Sequence, residues 1–454
     1  MSKMLEAVWS SLALPPSALP AVDFTGEGAL PSCYSVTDLA AASVGAAALA
    51  VRELVAAQGG RPARVRVDRR LASLWFSWSI HPVGWERPPL WDAVAGDYAT
   101  ADGWIRLHTN AVHHRGAALA VLGVAVDKDA VTRAVAGWRG AELEAAVVAQ
   151  GGCAAVMRSS AEWAEHEQGR AVAAEPLFAL ATAPGGFNAG WAGTPSRPLA
   201  GLKVLDLTRV LAGPVATRFL AGYGADVLRI DPPDWSEPGV IPEVTLGKRC
   251  ARLDLRLEGD RAIFSGLLAQ ADVLVHGYRP AALERLGFGE DVRRRLNPGL
   301  IDVALDAYGW TGPLAGRRGF DSLVQMSAGI ADRGMRWQGA AKPVPLPVQA
   351  LDHATGYLIA AAVVRGLLHR LADGTVATVR LSLARTALLL AQMPPDGGVD
   401  AGALAPASDA DLAPALEQTT WGPVRRYWPP VAIDGAPMAW DRPASALGSA
   451  PPNW

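Results

Sequence analysis

Residues 202–231 read LKVLDLTRVLAGPVATRFLAGYGADVLRID. An apolar run, KVLDLT, gives way to a turn, RVLAGP. Residues with helical spacing follow, VATRFLAGYG, and then a second apolar run, ADVLRID. Strand, helix and strand over about thirty residues form a βαβ unit, whose two strands are parallel. The alternation continues downstream. ARLDLR reads as a strand, DRAIFSGLLAQA as a helix and DVLVHGY as a strand. AALERLGF and GEDVRRRLNP read as helices and LIDVALDAYG as another strand. This predicts a doubly wound, Rossmann-like α/β domain from about 200 to 350. A small-residue helix after ALDHATG (350–356) and a short strand, TVATVRLSL, extend it.

The first half has a different rhythm. A helix over 38–57 leads through GGRPAR to a strand at 64–68. GDYATADGWIRLHTN has hairpin alternation, with Asp102 and Gly103 expected in the turn. Helices are expected near 113–122, 127–137 and 139–149, giving a smaller α+β domain. Between the halves, the polar, Gly/Pro-rich TAPGGFNAGWAGTPSRPLAG reads as a linker. The resulting division is 1–181, a linker at 182–200, 201–395, and a Pro-rich segment at 396–454 that packs back. There is also an internal echo. TDLAAASVGAAALAVREL and LDHATGYLIAAAVVRGLL each place an Asp, Asp38 or Asp352, at the head of a small-residue helix. Each is followed by a Gly turn and a short strand.

Charge narrows the partners. The 454 residues carry a formal net charge of −2. No global basic field exists to hold nucleic acid or an anionic membrane, so an anionic ligand must be held locally. Arg52, Glu53 and Arg365 interrupt the Ala-rich stretches, which read as buried helices and not as membrane spans. Cys33, Cys153 and Cys250 are far apart and form no CxxC, as suits a reducing compartment. The N-terminus shows no continuous apolar signal core, and a cytoplasmic location is expected.

Standard catalytic motifs are missing: no GxxxxGK[ST], HExxH, GxSxG or Cys/His metal spacing occurs. The eight histidines are scattered, and His113 and His114 are expected in surface or core roles. The first βα turn is not GxGxxG, yet it can present backbone N–H groups and a helix N-terminus to an anion. Asp231 ends the second strand, where a nicotinamide-binding fold would hold ribose, but the glycine pattern does not match. On residues alone, Asp352 is either a helix N-cap or a carboxylate nucleophile kept ionised by the helix N-terminus. Asp38 has the same two readings. Arg285, Lys248 and Arg249 read first as solvated charges.

These stretches also resemble a known family. GLKVLDLTRVLAGPVATRFLAGYGADVLRID looks like the opening of the class III CoA-transferases. The order continues through GKRCARLDLR, ADVLVHGYRPAALERLGFG, LNPGLIDVALDAYGWTGP, GFDSLVQMSAGI and LDHATGYLIAAAVV. The tail PPVAIDGAPMAWDRPASALG resembles the family's Pro-rich ending. The first half resembles the family's later part, so the domain order looks rearranged.

The resemblance implies a class III CoA-transferase fold and an acyl-CoA:carboxylate CoA-transferase. Its substrates are acyl-CoA, which brings coenzyme A, and a carboxylic acid; no metal is expected. Asp352 matches the Asp that forms a mixed anhydride and then an aspartyl-CoA thioester. Val210 and Ala212 match backbone contacts to CoA. Tyr278 and Arg285 match an aromatic and an Arg near the nucleotide, and Lys248 lies in the matching basic loop. Pro232 and Pro233 stand where the family often has a basic residue. Phe320 stands where related racemases carry a second base, so racemisation is not expected. Family isomerases and non-catalytic CoA-binding homologues are the alternatives. A homodimer is implied, with Asp38 a relic or cap.

Overall fold

The computed structural model of this chain describes residues 2–61, 63–185, 191, 193–394 and 402–454. Its centre is a seven-stranded sheet. The strands run in the spatial order Lys248–Arg252, Asp226–Asp231, Lys203–Leu207, Val273–His276, Ile301–Asp306, Thr375–Ser382 and Ala179–Pro184. The first six are mutually parallel, and the last pairs antiparallel at the edge. Numbered along the chain from Lys203–Leu207, the parallel strands lie in the order 3-2-1-4-5-6. Growth of the sheet therefore reverses between Lys203–Leu207 and Val273–His276, leaving a crevice at their carboxyl ends.

Both faces of this sheet are buried, as parallel strands require. Alternate residues divide between two cores. Val204, Val227, Val273 and Val275 pack with the helices Ala212–Gly222 and Ala350–Asp373. Leu205, Leu228 and Leu274 pack with Phe264, Leu267 and Leu268 of the helix Glu258–Gln270. The doubly wound fold predicted for about 200–350 is thus present.

The Asp352 helix, Ala350–Asp373, lies against the Ala212–Gly222 helix at Gly356. A Cβ there would come within 2.4 Å of the Ala212 carbonyl oxygen. Only glycine allows the two helices to approach this closely. On its other side the Asp352 helix packs along the Asp38 helix, Val36–Ala57, so both halves share one core. By length and composition Val36–Ala57 could cross a membrane, but it is buried in this core.

The first half adds a hairpin, Gly96–Thr100 with Gly103–Leu107, joined by Ala154–Val156. Later residues pack back on it. Val431–Ile433 pairs with Val65–Asp68, and Gly422–Arg426 with Ile80–Pro82. Trp440 stacks on Trp75 with ring centroids 5.7 Å apart.

Some local expectations shift. Thr100 pairs with Gly103, so the hairpin turn is Ala101–Asp102 and Gly103 begins a strand. AALERLGF yields only one helical turn, Ala282–Arg285. The strand expected at ARLDLR lies earlier, at Lys248–Arg252. Residues 182–184, assigned to the linker, belong to the edge strand Ala179–Pro184. Residues 186–190 and 192 of that linker, and the boundary at 395–396, lie outside the described residues.

Candidate active site

A cavity of about 440 Å³ opens at the reversal point of the sheet. Its walls come from the carboxyl ends of three strands: Leu207–Val210, Gly277–Arg279 and Leu305–Ala307. The loop Arg317–Phe320 closes one side, and Asp352 projects from the start of its helix. His113 and His114 of the helix Val112–Leu122 complete the wall from the first half of the chain.

Four of the expected site residues, Asp352, Val210, Ala212 and Tyr278, meet in this cavity, and Phe320 joins them. Val210 has φ +63°, a left-handed conformation unfavourable for a β-branched residue. Its N–H donates to Glu237 Oε2 at 2.8 Å, so that donor is already engaged. Ala212 is the first residue of the Ala212–Gly222 helix. The Tyr278 hydroxyl accepts a hydrogen bond from Arg209 Nη2 at 2.9 Å.

Two expected residues lie elsewhere. Lys248 is buried in the sheet, its Nζ 2.9 Å from both Asp206 Oδ2 and the Pro214 carbonyl oxygen. It is an internal ion pair and not a nucleotide contact. Arg285 is exposed on the short helix Ala282–Arg285 and does not line the cavity. Its charge is close enough to Arg279 to disfavour that residue's protonated form, after the larger effect of burial and that of Arg318. Pro232 is in the wall. Asp231 is fully buried and accepts from Arg229 Nε at 2.8 Å, which leaves it unable to bind a ribose.

Asp352 is the third residue of its helix, so it is not the N-cap; that position is Gln349. The helix donors are taken by Asp321. Its Oδ2 accepts from the amides of Leu351 at 2.8 Å and Asp352 at 3.1 Å. Its Oδ1 accepts from Gln325 Nε2 at 2.5 Å. The expected stabilisation of an Asp352 anion by the helix N-terminus is thus directed to Asp321. Burial, and then the neighbouring Asp321 charge, push Asp352 well above the ordinary carboxylate range. Burial also raises Asp321, but its three hydrogen bonds oppose the rise. The two carboxyls share one site, and Asp352 is the one that holds a proton more tightly.

Asp38 is also the third residue of its helix, yet its surroundings differ. Oδ1 lies 2.5 Å from Arg69 Nη2, an ion pair between a buried carboxylate and a half-buried arginine. It does not line the cavity that contains Asp352.

The cavity is rich in cations. Arg209, Arg279, Arg317 and Arg318 all line it. Arg317 pairs with Glu144 at 3.0 Å. Among the described residues, no carboxylate is within ion-pair distance of Arg209, Arg279 or Arg318. Arg209 is sandwiched by Trp235 and Tyr278, 4.9 and 5.1 Å from their ring centroids. Among the described residues, Arg279 and Arg318 hydrogen-bond to backbone carbonyls, of Gly316 and Gly151 at 3.4 and 3.3 Å. Asp306 also lines the cavity, and burial pushes it up to about 7. Phe320 lies flat on His108, with centroids 3.7 Å apart, and edge-on to His114 at 5.9 Å. Burial holds both imidazoles neutral, pushed down to about 3.

Sequence reasoning missed Asp321, the arginines and the two cavity histidines. The Arg317–Arg318 doublet, set between glycines just before GFDSLVQ, was the available signal for an anion site. Nothing local marked His113 and His114, which reach the cavity only through docking of the first half.

This arrangement of a carboxyl and free guanidinium groups at the crevice of a doubly wound sheet fits a polyanionic substrate that undergoes acyl or group transfer. Residues 199–407 match the model of CoA-transferase family III. The resemblance drawn from motifs 201–364 falls within this segment and is borne out.

Among curated relatives, an acetyl-coenzyme A transferase of Hypoxylon pulicicidum is 35% identical over 242 residues, covering 50% of this chain and 41% of that protein. A probable fatty acyl-CoA transferase of Mycobacterium tuberculosis is 35% identical over 203 residues, covering 42% and 51%. An acetyl-CoA:oxalate CoA-transferase of Acetobacter aceti is 39% identical over 148 residues, covering 30% and 38%. The chain spans about half the length of the curated relatives it matches. Among solved structures, that of the mycobacterial protein Rv3272 is 33% identical with a TM-score of 0.39, covering 42% of this chain and 56% of that one.

Proposed function

We propose that this chain transfers CoA from an acyl-CoA to a carboxylic acid, with Asp352 as the nucleophile. The supporting observation is that Asp352 shares one cavity with three arginines that have no carboxylate partner among the described residues. A free guanidinium is suited to bidentate contact with phosphate, and CoA carries phosphates at its nucleotide and pyrophosphate. In this reading Arg209, Arg279 and Arg318 hold those phosphates, while Tyr278 and Trp235 flank the nucleotide.

The chemistry proceeds by exchange at one carboxyl group. Asp352, once deprotonated, attacks the thioester carbonyl; the C–S bond breaks and CoA leaves as thiolate, giving a mixed anhydride. The thiolate attacks the Asp352 carbonyl, releasing the donor acid and forming an aspartyl-CoA thioester. The acceptor carboxylate repeats the sequence in reverse. Thioester exchange between a panel of CoA donors and acids tests the reading. Transfer that disappears in Asp352→Asn supports it. CoA binding without any transfer would instead indicate a non-catalytic CoA-binding protein.

A second reading, proton transfer at the carbon next to the thioester, is favoured by one observation. His114, a neutral base, lines the same cavity as Asp352, a protonated acid. Phe320 was expected to exclude this by occupying the place of a second base. Deuterium exchange into a 2-methylacyl-CoA tests it, and fast exchange with inversion would favour this reading over transfer. The homodimer implied by the resemblance remains part of the proposal. All cavity residues named here belong to one chain, and light scattering at micromolar concentration tests the dimer.

A further inference from the structure

A second cavity, of about 270 Å³, lies on the other side of the Phe320–Asp321 junction. It shares Asp321 with the Asp321–Asp352 carboxyl pair, and Gln349, the N-cap of the Asp352 helix, is in its wall. Phe76, another wall residue, stacks on His353, the neighbour of Asp352, with centroids 5.1 Å apart. The cavity is therefore adjacent to the atoms that would carry the acyl group.

Its lining is mixed: Phe76, Trp78, Leu90 and Trp91 from the first half face Met326 and Leu346 from the second, with polar side chains among them. Cavities of roughly 150 Å³ take up benzene, so this volume accommodates an aromatic ring on a short carbon chain. The charged groups in the wall are Arg106, Asp97 and Asp321. Arg106 is paired, with Nη1 2.8 Å from Asp97 Oδ1 and its guanidinium 4.7 Å from the Trp91 ring centroid, while its Nε has no hydrogen-bond partner among the described residues. The carboxyls thus outnumber the cation. A second carboxylate would enter a site whose one wall cation is already paired and would be repelled by Asp97 and Asp321. Gln325 is likewise engaged, donating to Asp321 and accepting from the Leu346 amide at 2.7 Å.

We infer that this cavity is the acyl subsite and that it selects monocarboxylic acids with an aryl-alkyl tail over short or dicarboxylic acids. The inference rests on the CoA-transfer reading, and a binding measurement separates the two. Affinities of the protein for CoA, acetyl-CoA, succinyl-CoA and 3-phenylpropanoyl-CoA are compared by calorimetry. The aryl ester should bind roughly ten- to a hundred-fold more tightly than acetyl- or succinyl-CoA, the usual yield of burying one aromatic group. Leu90→Trp, which fills the cavity, should remove that preference when each affinity is normalised to the variant's own affinity for CoA. Normal CoA binding with equal or tighter binding of succinyl-CoA overturns the acyl assignment alone. So does an aryl preference that survives Leu90→Trp. Failure of CoA and all its esters to bind overturns the assignment together with the reading beneath it.

Discussion

Gly356→Ala tests the contact that positions Asp352. The added methyl carbon would sit 2.4 Å from the Ala212 oxygen and 2.8 Å from Val215 Cβ. Ordinary contact begins near 3.4 Å, so the two helices must part by about 1 Å. Overpacking of this kind costs about 1–3 kcal/mol, while replacing a helical glycine returns up to about 1 kcal/mol. The net loss of stability should be roughly 0–3 kcal/mol.

The functional effect should be larger. The displaced elements are the Asp352 helix and the Val210–Ala212 turn, and a 1 Å misplacement at a reacting centre can cost on the order of 100-fold in rate. Denaturant midpoints measured beside kcat/KM for CoA transfer should therefore show a small stability change and a large activity loss. Gly259→Ala is the control, because nothing lies within 4 Å of its added carbon. If Gly356→Ala behaves like Gly259→Ala in both assays, the close approach does not position the site.

Lys248→Met should destabilise the fold by roughly 3–5 kcal/mol in denaturant unfolding, because it leaves Asp206 buried without its cation. KM for the CoA ester should be unchanged in the same variant. Asp321→Asn removes a negative charge that favours protonated Asp352. Ionisation of Asp352 then becomes easier, so the acid limb of kcat/KM should move to lower pH; a shift to higher pH would contradict the paired-carboxyl account. Arg318→Ala and Arg279→Ala should raise KM for CoA esters and weaken its dependence on salt. The corresponding pantetheine esters, which lack the nucleotide phosphates, should be insensitive to both substitutions.

Legibility in the sequence followed the local or long-range nature of each signal. The parallel sheet was readable because its buried strands form apolar runs separated by helical spacing, as in KVLDL and VLVH. KRCAR was misread because charged side chains do not resemble a buried strand. Lys248 and Arg249 fit there only through Asp206, two strands away, and Asp226 on the adjacent strand. That misplacement left Lys248 in a loop, and the family resemblance made the loop a binding one. Asp352 was readable from its place at the head of an apolar helix, but Asp321 was not. Asp321 acts on backbone amides some thirty residues downstream, and such a bond leaves no mark in the pattern of side chains. The Trp78–Trp91 wall and the cavity histidines depend on docking between halves, which periodicity does not encode.

The central claim is that Asp352, and not its counterpart Asp38, becomes acylated during turnover. The direct measurement adds hydroxylamine while the protein exchanges CoA between a donor ester and an acid, then locates the modified peptide by mass spectrometry. The account predicts a hydroxamate at Asp352, none at Asp38, and loss of both labelling and transfer by orders of magnitude in Asp352→Asn. Asp38→Asn should remain active, since that carboxylate is paired with Arg69 outside the cavity. Labelling at Asp38, or full turnover by Asp352→Asn, would contradict it.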